Sequence, residues 1–393
     1  MRRERHARLQ GLLEEQGIDA LLLLGGSAVL YATGAVSPGA DSARAFFMRP
    51  VGLVVRGAEW PHLFTPYPEG APPELPAGHV HPAAFPEIDE GIPALLDAVS
   101  GHLPSGGSAR LAVDDLTHPL RRGLSRTSFD VSAAAGVLGA ARLCKTPDEL
   151  ACIRTAQRIN ELAMSDVQGH ARPGARQTDL SARFLRRAFE LGATSNCIDP
   201  IWQVMPAAHR SGPWTTHGDI AFPTPSTDRI LRDGDVVWVD TGISYQGYAS
   251  DFGRTWPISR AVDAAAPPRL QALHDRWCDV MAAVAARCEP GVTALELGQA
   301  AIAANDGARP WIEHFYLAHG VGTDSAEMPM VGTDLGDAFD EQLVLEPGMV
   351  LVLEPVIWED GTGGYRAEDI IAVTDDGWAP LSGHPYEPFT GRW

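Results

Sequence analysis

Asp240 closes the apolar run Val236-Val237-Trp238-Val239, and Asp251 follows it eleven residues later. A carboxylate at the end of a buried strand must be paired, protonated or bound to a cation, because an isolated charge is very costly to remove from water. Gln246-Gly247 supplies turn chemistry between the two acids, and the aromatic and β-branched residues on either side read as hairpin strands. Centring the turn between Tyr245 and Gln246 sets Asp240 and Asp251 directly opposite, with Cβ atoms about 5 Å apart. Two carboxylates that close repel unless a cation lies between them.

Three later positions follow the same logic. Glu354 ends Met349-Val350-Leu351-Val352-Leu353, and Glu368 stands beside Asp369 immediately before Ile370-Ile371-Ala372-Val373. His319 lies in Leu317-Ala318-His319-Gly320-Val321-Gly322, where the glycines permit close backbone approach. Four carboxylates and one imidazole, with no thiolate, form a hard donor set suited to manganese, iron, cobalt or zinc in a reactive site rather than to a structural zinc. Two divalent ions about 3.5–4 Å apart can share bridging carboxylates and lower the pKa of a bound water toward neutrality. Hydrolysis of an amide or related bond is the reaction class that follows.

The elements that must position these residues begin near Cys144. Thr146, Pro147 and Glu149 signal a helix start, with Thr146 as N-cap and Pro at the first position. The spacing predicts helices to about Val167, from Thr178 to Leu191, from Pro268 to Arg287 and from Ala294 to Asn305. Asp199 to Arg229 reads as a loop-rich passage carrying Trp202, His209, Trp214 and His217, whose indoles could line a pocket or cover a core edge. Upstream, a helix over Arg5 to Glu15 leads to strands at Ala20–Leu24, Gly52–Val55 and Ala109–Val113, with a helix over Ile92–His102. That alternation predicts an α/β layer domain over residues 1–143, followed by a second domain over 144–393. Pro66 to Pro86 reads as surface loop.

Composition narrows the function. The 393 residues are 45% hydrophobic and 21% charged, as in an ordinary globular protein long enough for two cores. A formal net charge of −19 argues against nucleic-acid binding, which needs clustered Lys and Arg. The five cysteines are scattered without CxxC spacing, which suits a reducing compartment. The longest early apolar patch, Ala20 to Leu24, is too short to span a bilayer. A cytoplasmic protein with no membrane partner is the simplest expectation.

Asp240 and Asp251, His319 within His-Gly-Val-Gly, Leu345-Glu346-Pro347-Gly348 leading to Glu354-Pro355, and Arg366-Ala367-Glu368-Asp369 resemble the ordered ligand motifs of the pita-bread metallopeptidases, which include aminopeptidase P, prolidase and methionine aminopeptidase. The resemblance implies an α+β pita-bread catalytic domain preceded by a creatinase-type N-terminal domain. It implies two divalent metal ions held by Asp240, Asp251, His319, Glu354 and Glu368, with Asp251 and Glu368 bridging. It further implies a short-peptide or small-molecule substrate, with Xaa-Pro peptides as the default, and a homodimer. Glu327 or Glu354 would then manage protons while a metal-bound hydroxide attacks the carbonyl, and Arg366 matches an arginine that the family uses near substrate.

The sequence also departs from the family. Phe222-Pro223, Phe315 and Ala326 stand where the family commonly carries histidines that contact substrate or shuttle protons. His217 is the best replacement because it lies in the same connection, with His209 and His314 behind it. These departures open two alternatives to a prolyl peptidase: a hydrolase or lyase acting on a small modified amino acid or another small molecule, and a non-catalytic binding module.

Overall fold

The computed structural model describes residues 1–36, 47–103, 108–206, 227–261, 264–311 and 315–393. His209, Trp214, His217, Phe222, Pro223 and His314 lie outside the described residues. The chain divides into two compact units, Met1–Arg142 and Leu143–Trp393. Among the described residues no helix is long and apolar enough to cross a membrane.

The first unit is built on β1 (Ala20–Leu23), β2 (Val51–Val55), β3 (His62–Phe64), β4 (Val80–His81), β5 (Arg110–Val113) and β6 (Asp130–Ala133), joined in the order β4-β3-β2-β1-β5-β6. Successive side chains of a strand point to opposite faces, so the unbroken apolar β1 must be covered on both. Leu21 and Leu23 meet Leu9 and Leu13 of the helix Arg2–Gln16, whereas Ala20 and Leu22 meet Leu95 and Val99 of the helix Ile92–His102. The result is an α/β layer arrangement. Within the expected surface loop, the chain adds β4 in parallel to β3, pairing Phe64 with His81. A two-residue strand is too short for periodicity to reveal.

The second unit opens with the helix Pro147–Gln168, whose Thr146 hydroxyl accepts from the Glu149 amide at 3.2 Å while the Glu149 carboxylate accepts from the Thr146 amide at 2.8 Å. Packed with the helix Gln177–Glu190, it covers one face of a sheet formed by β7 (Ser195–Met205), β8 (Val236–Tyr245) and β10 (Phe252–Pro257), with β9 (Tyr248–Ala249) pairing on β8. Trp202 therefore lies in a strand, fully buried, and not in a loop. Register shifts between Asn196 and Ile198 and between Ile198 and Ile201 break the alternation that would have marked the strand.

A second sheet, in the order β12-β11-β13-β16-β17, contains β11 (Ala318–Gly320), β12 (Glu327–Val331), β13 (Val350–Leu353), β16 (Asp369–Thr374) and β17 (Gly377–Pro380). Its core includes the helices Pro268–Ala285 and Ala294–Ala304. Between β13 and β16, β14 (Val356–Glu359) and β15 (Gly363–Arg366) form a hairpin.

The central hairpin turns one residue later than its sequence suggests. Tyr245 pairs with Tyr248 around Gln246 and Gly247, whose φ values of 53° and 82° fit a turn with both central residues left-handed. Asp240 consequently opposes Gly253, and Asp251 is its diagonal neighbour rather than its direct partner. Because the register moves by two residues, both acids stay on the expected face.

Candidate metal centre

Strand parity decides where the acids go. Val237 and Val239 enter the core beneath β8, so Asp240 projects from the opposite face. Leu351 and Leu353 do the same on β13, which turns Glu354 away from that core. Leu353 pairs with Asp369, so the chain brings Glu354 and Glu368 side by side one step further. The Glu368 amide donates to the Gly253 carbonyl at 3.0 Å, linking this end of β16 to β10. Gly253 must remain a glycine, because a Cβ there would stand 2.5 Å from the Glu368 carboxyl carbon.

Asp240, Asp251, His319, Glu354 and Glu368, together with Arg366, are all between 1% and 7% exposed. One carboxylate oxygen from each of Asp240, Asp251 and Glu368 lies within 4.8 Å of the others. His319 Nε2 stands 3.3 Å from both Asp251 Oδ2 and Glu354 Oε1. Donors that share one ion at about 2.0–2.2 Å lie about 3.0–3.4 Å apart. The sequence-derived quintet is therefore brought together in space.

Arg366 reaches the same cluster, 3.2 Å from Asp240 Oδ2 and 2.6 Å from Glu354 Oε2, and it pairs with Glu368 as well. Burial opposes its charge, but Glu368, Glu354 and Asp240 together hold the guanidinium well above its usual pKa. Burial, then Asp240 and Glu354, pushes Asp251 well above the usual carboxylate range. Glu368 rises for the same first reason, with Arg366 opposing the shift and Asp251 adding to it. Burial also raises Glu354, against Arg366 and His319.

These groups fit a cation on two grounds. Four carboxyl groups face a single guanidinium, so ionised acids leave three uncompensated negative charges in a buried space. His319 Nδ1 lies 2.8 Å from the Gly320 carbonyl, which requires the proton on that nitrogen. Its Nε2 then turns a lone pair toward two carboxylates, an arrangement that only a proton or a metal ion between them makes favourable. Asp240 Oδ1 and Glu368 Oε2 are buried without a hydrogen-bond partner.

Asn160, Arg254 and Tyr316, which support the cluster, were not foreseen from sequence. Asn160 donates to the Thr241 carbonyl at 2.8 Å and to the Ser250 hydroxyl at 3.0 Å, pinning the residues beside Asp240 and Asp251. Arg254 donates to the Glu368 carbonyl at 2.6 Å and to Asp369 at 3.0 Å, fixing the start of β16. The Tyr316 ring meets His319 edge-on with centroids 5.1 Å apart, and Phe315 stacks on Tyr316 at 4.2 Å. Burial, then Glu354 and Asp251, holds the Tyr316 hydroxyl far above its ordinary pKa, so it remains a donor. Glu327 forms a buried ion pair with Lys145, Nζ to Oε1 2.7 Å, and lies so close to Gly322 that a Cβ there would stand 2.3 Å from Oε1.

The model of metallopeptidase family M24 matches residues 151–375. The chain belongs to this family. As a member it is a metallohydrolase with the pita-bread fold, and its residues 5–128 match the creatinase/prolidase N-terminal domain. The chain is similar to the uncharacterized peptidase YqhT of Bacillus subtilis, 26% identical over 388 residues that cover 97% of this chain and 98% of that one. It is 28% identical over 307 residues to the dimethylsulfoniopropionate lyase DddP of Roseovarius nubinhibens, covering 72% of this chain and 61% of that protein. The prolidase of Pyrococcus horikoshii shares its fold, with a TM-score of 0.74, 22% identity, and coverage of 98% of this chain and 99% of that one.

Proposed function

We propose that residues 144–393 form a dinuclear metallohydrolase domain acting on short peptides of the Xaa-Pro class, preceded by a creatinase-type domain over residues 1–143. The observation that carries this reading is the His319 lone pair directed at Asp251 and Glu354 within a cluster of surplus negative charge. Asp240, Asp251 and Glu368 would hold one ion, and Asp251, His319, Glu354 and Glu368 a second. Manganese, iron, cobalt and zinc all suit these donors. When bound, such ions supply Lewis acidity and an activated water.

The chain's own residues do the rest. Arg366 orients Asp240, Glu354 and Glu368 by binding all three, and it leaves their remaining oxygens for the ions. Glu354 binds Arg366 through Oε2 and turns Oε1 toward His319, so both of its oxygens serve the centre. The ion pair with Lys145 makes Glu327 a positioning residue that ties the segment after His319 to the start of the domain. Tyr316 presents a hydroxyl that stays protonated, suited to donating to a substrate oxygen.

A second reading has its own support. Phe315 and Ala326 replace the family's histidines, Phe315 stacks against Tyr316 beside His319, and a lyase is among the relatives. A small-molecule lyase or hydrolase would need no imidazole to recognise a peptide carbonyl. Metal analysis tests the centre first: chelator-treated, washed protein should take up about two equivalents of divalent ion, and none at all would overturn both readings. Fully loaded protein would then be assayed on Xaa-Pro dipeptides and on amino-acid-derived small molecules. Turnover of dipeptides alone selects the peptidase, and turnover of the small molecules alone selects the second reading.

A further inference from the structure

The first unit contains a second cluster of metal-binding side chains, with chemistry opposite to that of the acids. His62 on β3, His81 on β4 and His102 at the C-terminal end of the helix Ile92–His102 bring one ring nitrogen each within 4.8 Å of the others. His62 Nδ1 and His81 Nε2 are 3.0 Å apart. Two nitrogens bound tetrahedrally to one zinc at about 2.0–2.1 Å would stand about 3.3 Å apart, so only a small adjustment separates this pair from joint ligation. The rings of His62 and His102 stack with centroids 3.8 Å apart, and His79 also stacks on His62, at 4.4 Å.

Packing together with a His62–His81 hydrogen bond is the competing account. Rings this close cannot all carry charge, and burial together with His102, His79 and His81 lowers the His62 pKa to about 4. Burial lowers His81 as well, and neutral imidazole is the ligand form, so His62 and His81 are held ready for a metal. The helix end at His102 adds the negative pole of its backbone dipole, which favours a cation there. The three nitrogens come from three separate elements and lie within 4.8 Å of one another, and because imidazole lone pairs lie in the ring plane, the His102 ring must swing out of its stack on His62 for the two to share an ion.

We infer that His62, His81 and His102 form a binding site for a divalent ion of the zinc, copper or nickel class, separate from the acid-rich centre. With three imidazoles and no carboxylate in the set, this site selects against manganese and magnesium. A water or His79 would complete four-coordination.

The test uses the full chain, freed of metal by chelator and titrated with Zn²⁺ in equilibrium dialysis, followed by Cu²⁺ loading and electron paramagnetic resonance. The variant His81→Gln/His102→Gln should bind one equivalent of zinc less than the wild type and lose the copper signal coupled to several nitrogens, the acid centre offering only His319. Asp251→Asn/Glu368→Gln should keep that equivalent. Equal zinc uptake and equal nitrogen couplings in wild type and the histidine variant, with matching circular dichroism, would overturn the inference. Should the double variant not fold, His102→Gln alone supplies the test: at least tenfold weaker zinc binding supports the site, and unchanged affinity sinks it.

Discussion

The acid cluster of the second unit and the imidazole cluster of the first answer the same problem in opposite ways. Around Asp251 the chain buries four carboxyl groups and sets Arg366 and His319 against them, leaving surplus negative charge. Around His62 it stacks further rings, and burial with those neighbours lowers the His62 pKa to about 4, so that this ring sheds its proton. The first arrangement is strained without a cation, because its ionised form is underpaid in positive charge, whereas the second is already comfortable when empty. Metal dependence should therefore be far stronger for the acid cluster than for the histidines, both in stability and in activity.

That contrast is broken most sharply at Glu368 and Asp251. Glu368→Ala should lower turnover by about 10³-fold or more and reduce bound divalent ion, while His81→Gln should leave turnover within about twofold. Metal content and kcat on the same preparations decide it. Loss of activity in the histidine variant with the acid-site metal retained would mean that the two clusters are not independent.

The next effect falls on stability rather than turnover. Lys145 and Glu327 are 2% and 3% exposed at their side chains, and removing one partner strands a buried charge. Lys145→Met should destabilise the second unit by about 3–5 kcal/mol, and Lys145→Met/Glu327→Leu should recover much of it. Denaturant unfolding measures both. Kinetics separate the roles of Glu327: a positioning residue tolerates Glu327→Gln with kcat reduced less than about tenfold, whereas a proton carrier loses far more.

These clusters also differ in how far they could be read from sequence. Asp240 and Glu354 were legible because each ends an uninterrupted apolar run, Glu368 because it stands just before one, and Asp251 because the turn carries it back beside Asp240. The hairpin register came out two residues off, since Gln246 accepts a positive φ and carries the turn one residue further, yet strand parity kept the face correct. Arg366 was singled out, but not its grip on three ligand candidates, because Asp240 lies 126 residues away and Glu354 is brought close only by the β14–β15 hairpin between them. Lys145 and Asn160 gave no signal for the same reason: their partners Glu327 and Thr241 are remote along the chain. The histidine cluster was missed altogether. His79-Val80-His81 carried a usable hint, a spacing that points two rings to one side of an extended segment, but it sat in a stretch rich in Pro and Gly that resembled plain loop.

Acid sharpens the comparison, because burial can lower a histidine's pKa without any metal role. His384 in the second unit donates from Nδ1 to the Pro385 carbonyl at 2.7 Å, and its Nε2 is buried without a partner. Burial, then Arg254, brings its pKa to about 4. The unfolded chain therefore binds a proton here between about pH 6.5 and 4 that the folded chain refuses, so stability falls as pH falls through that window. From pH 7 to pH 5 this one group contributes at most about 2 kcal/mol of loss. Denaturant midpoints should show a smaller drop for His384→Gln than for the wild type. Zinc should not restore the wild-type loss at His384, since among the described residues it belongs to no group of three metal-binding side chains.

The smallest effect concerns the edge of the imidazole cluster. His79 stacks on His62 at 4.4 Å, but its Nδ1 lies 3.2 Å from the Pro61 carbonyl, which draws that nitrogen's proton away from the other rings. Two roles remain for it: a fourth ligand through Nε2, or a wall that holds His62 in place. A wall loses only stacking, about 1 kcal/mol or less, and zinc affinity should fall less than about tenfold in His79→Ala. A ligand would lose more, and the copper signal would change from four coordinated nitrogens to three. Competition titration with a zinc-binding dye, run beside the copper spectrum, distinguishes them. A fall of a hundredfold or more would place His79 in the coordination sphere and make the site fully closed, which is the pattern of a structural ion and not of one exchanged with solvent.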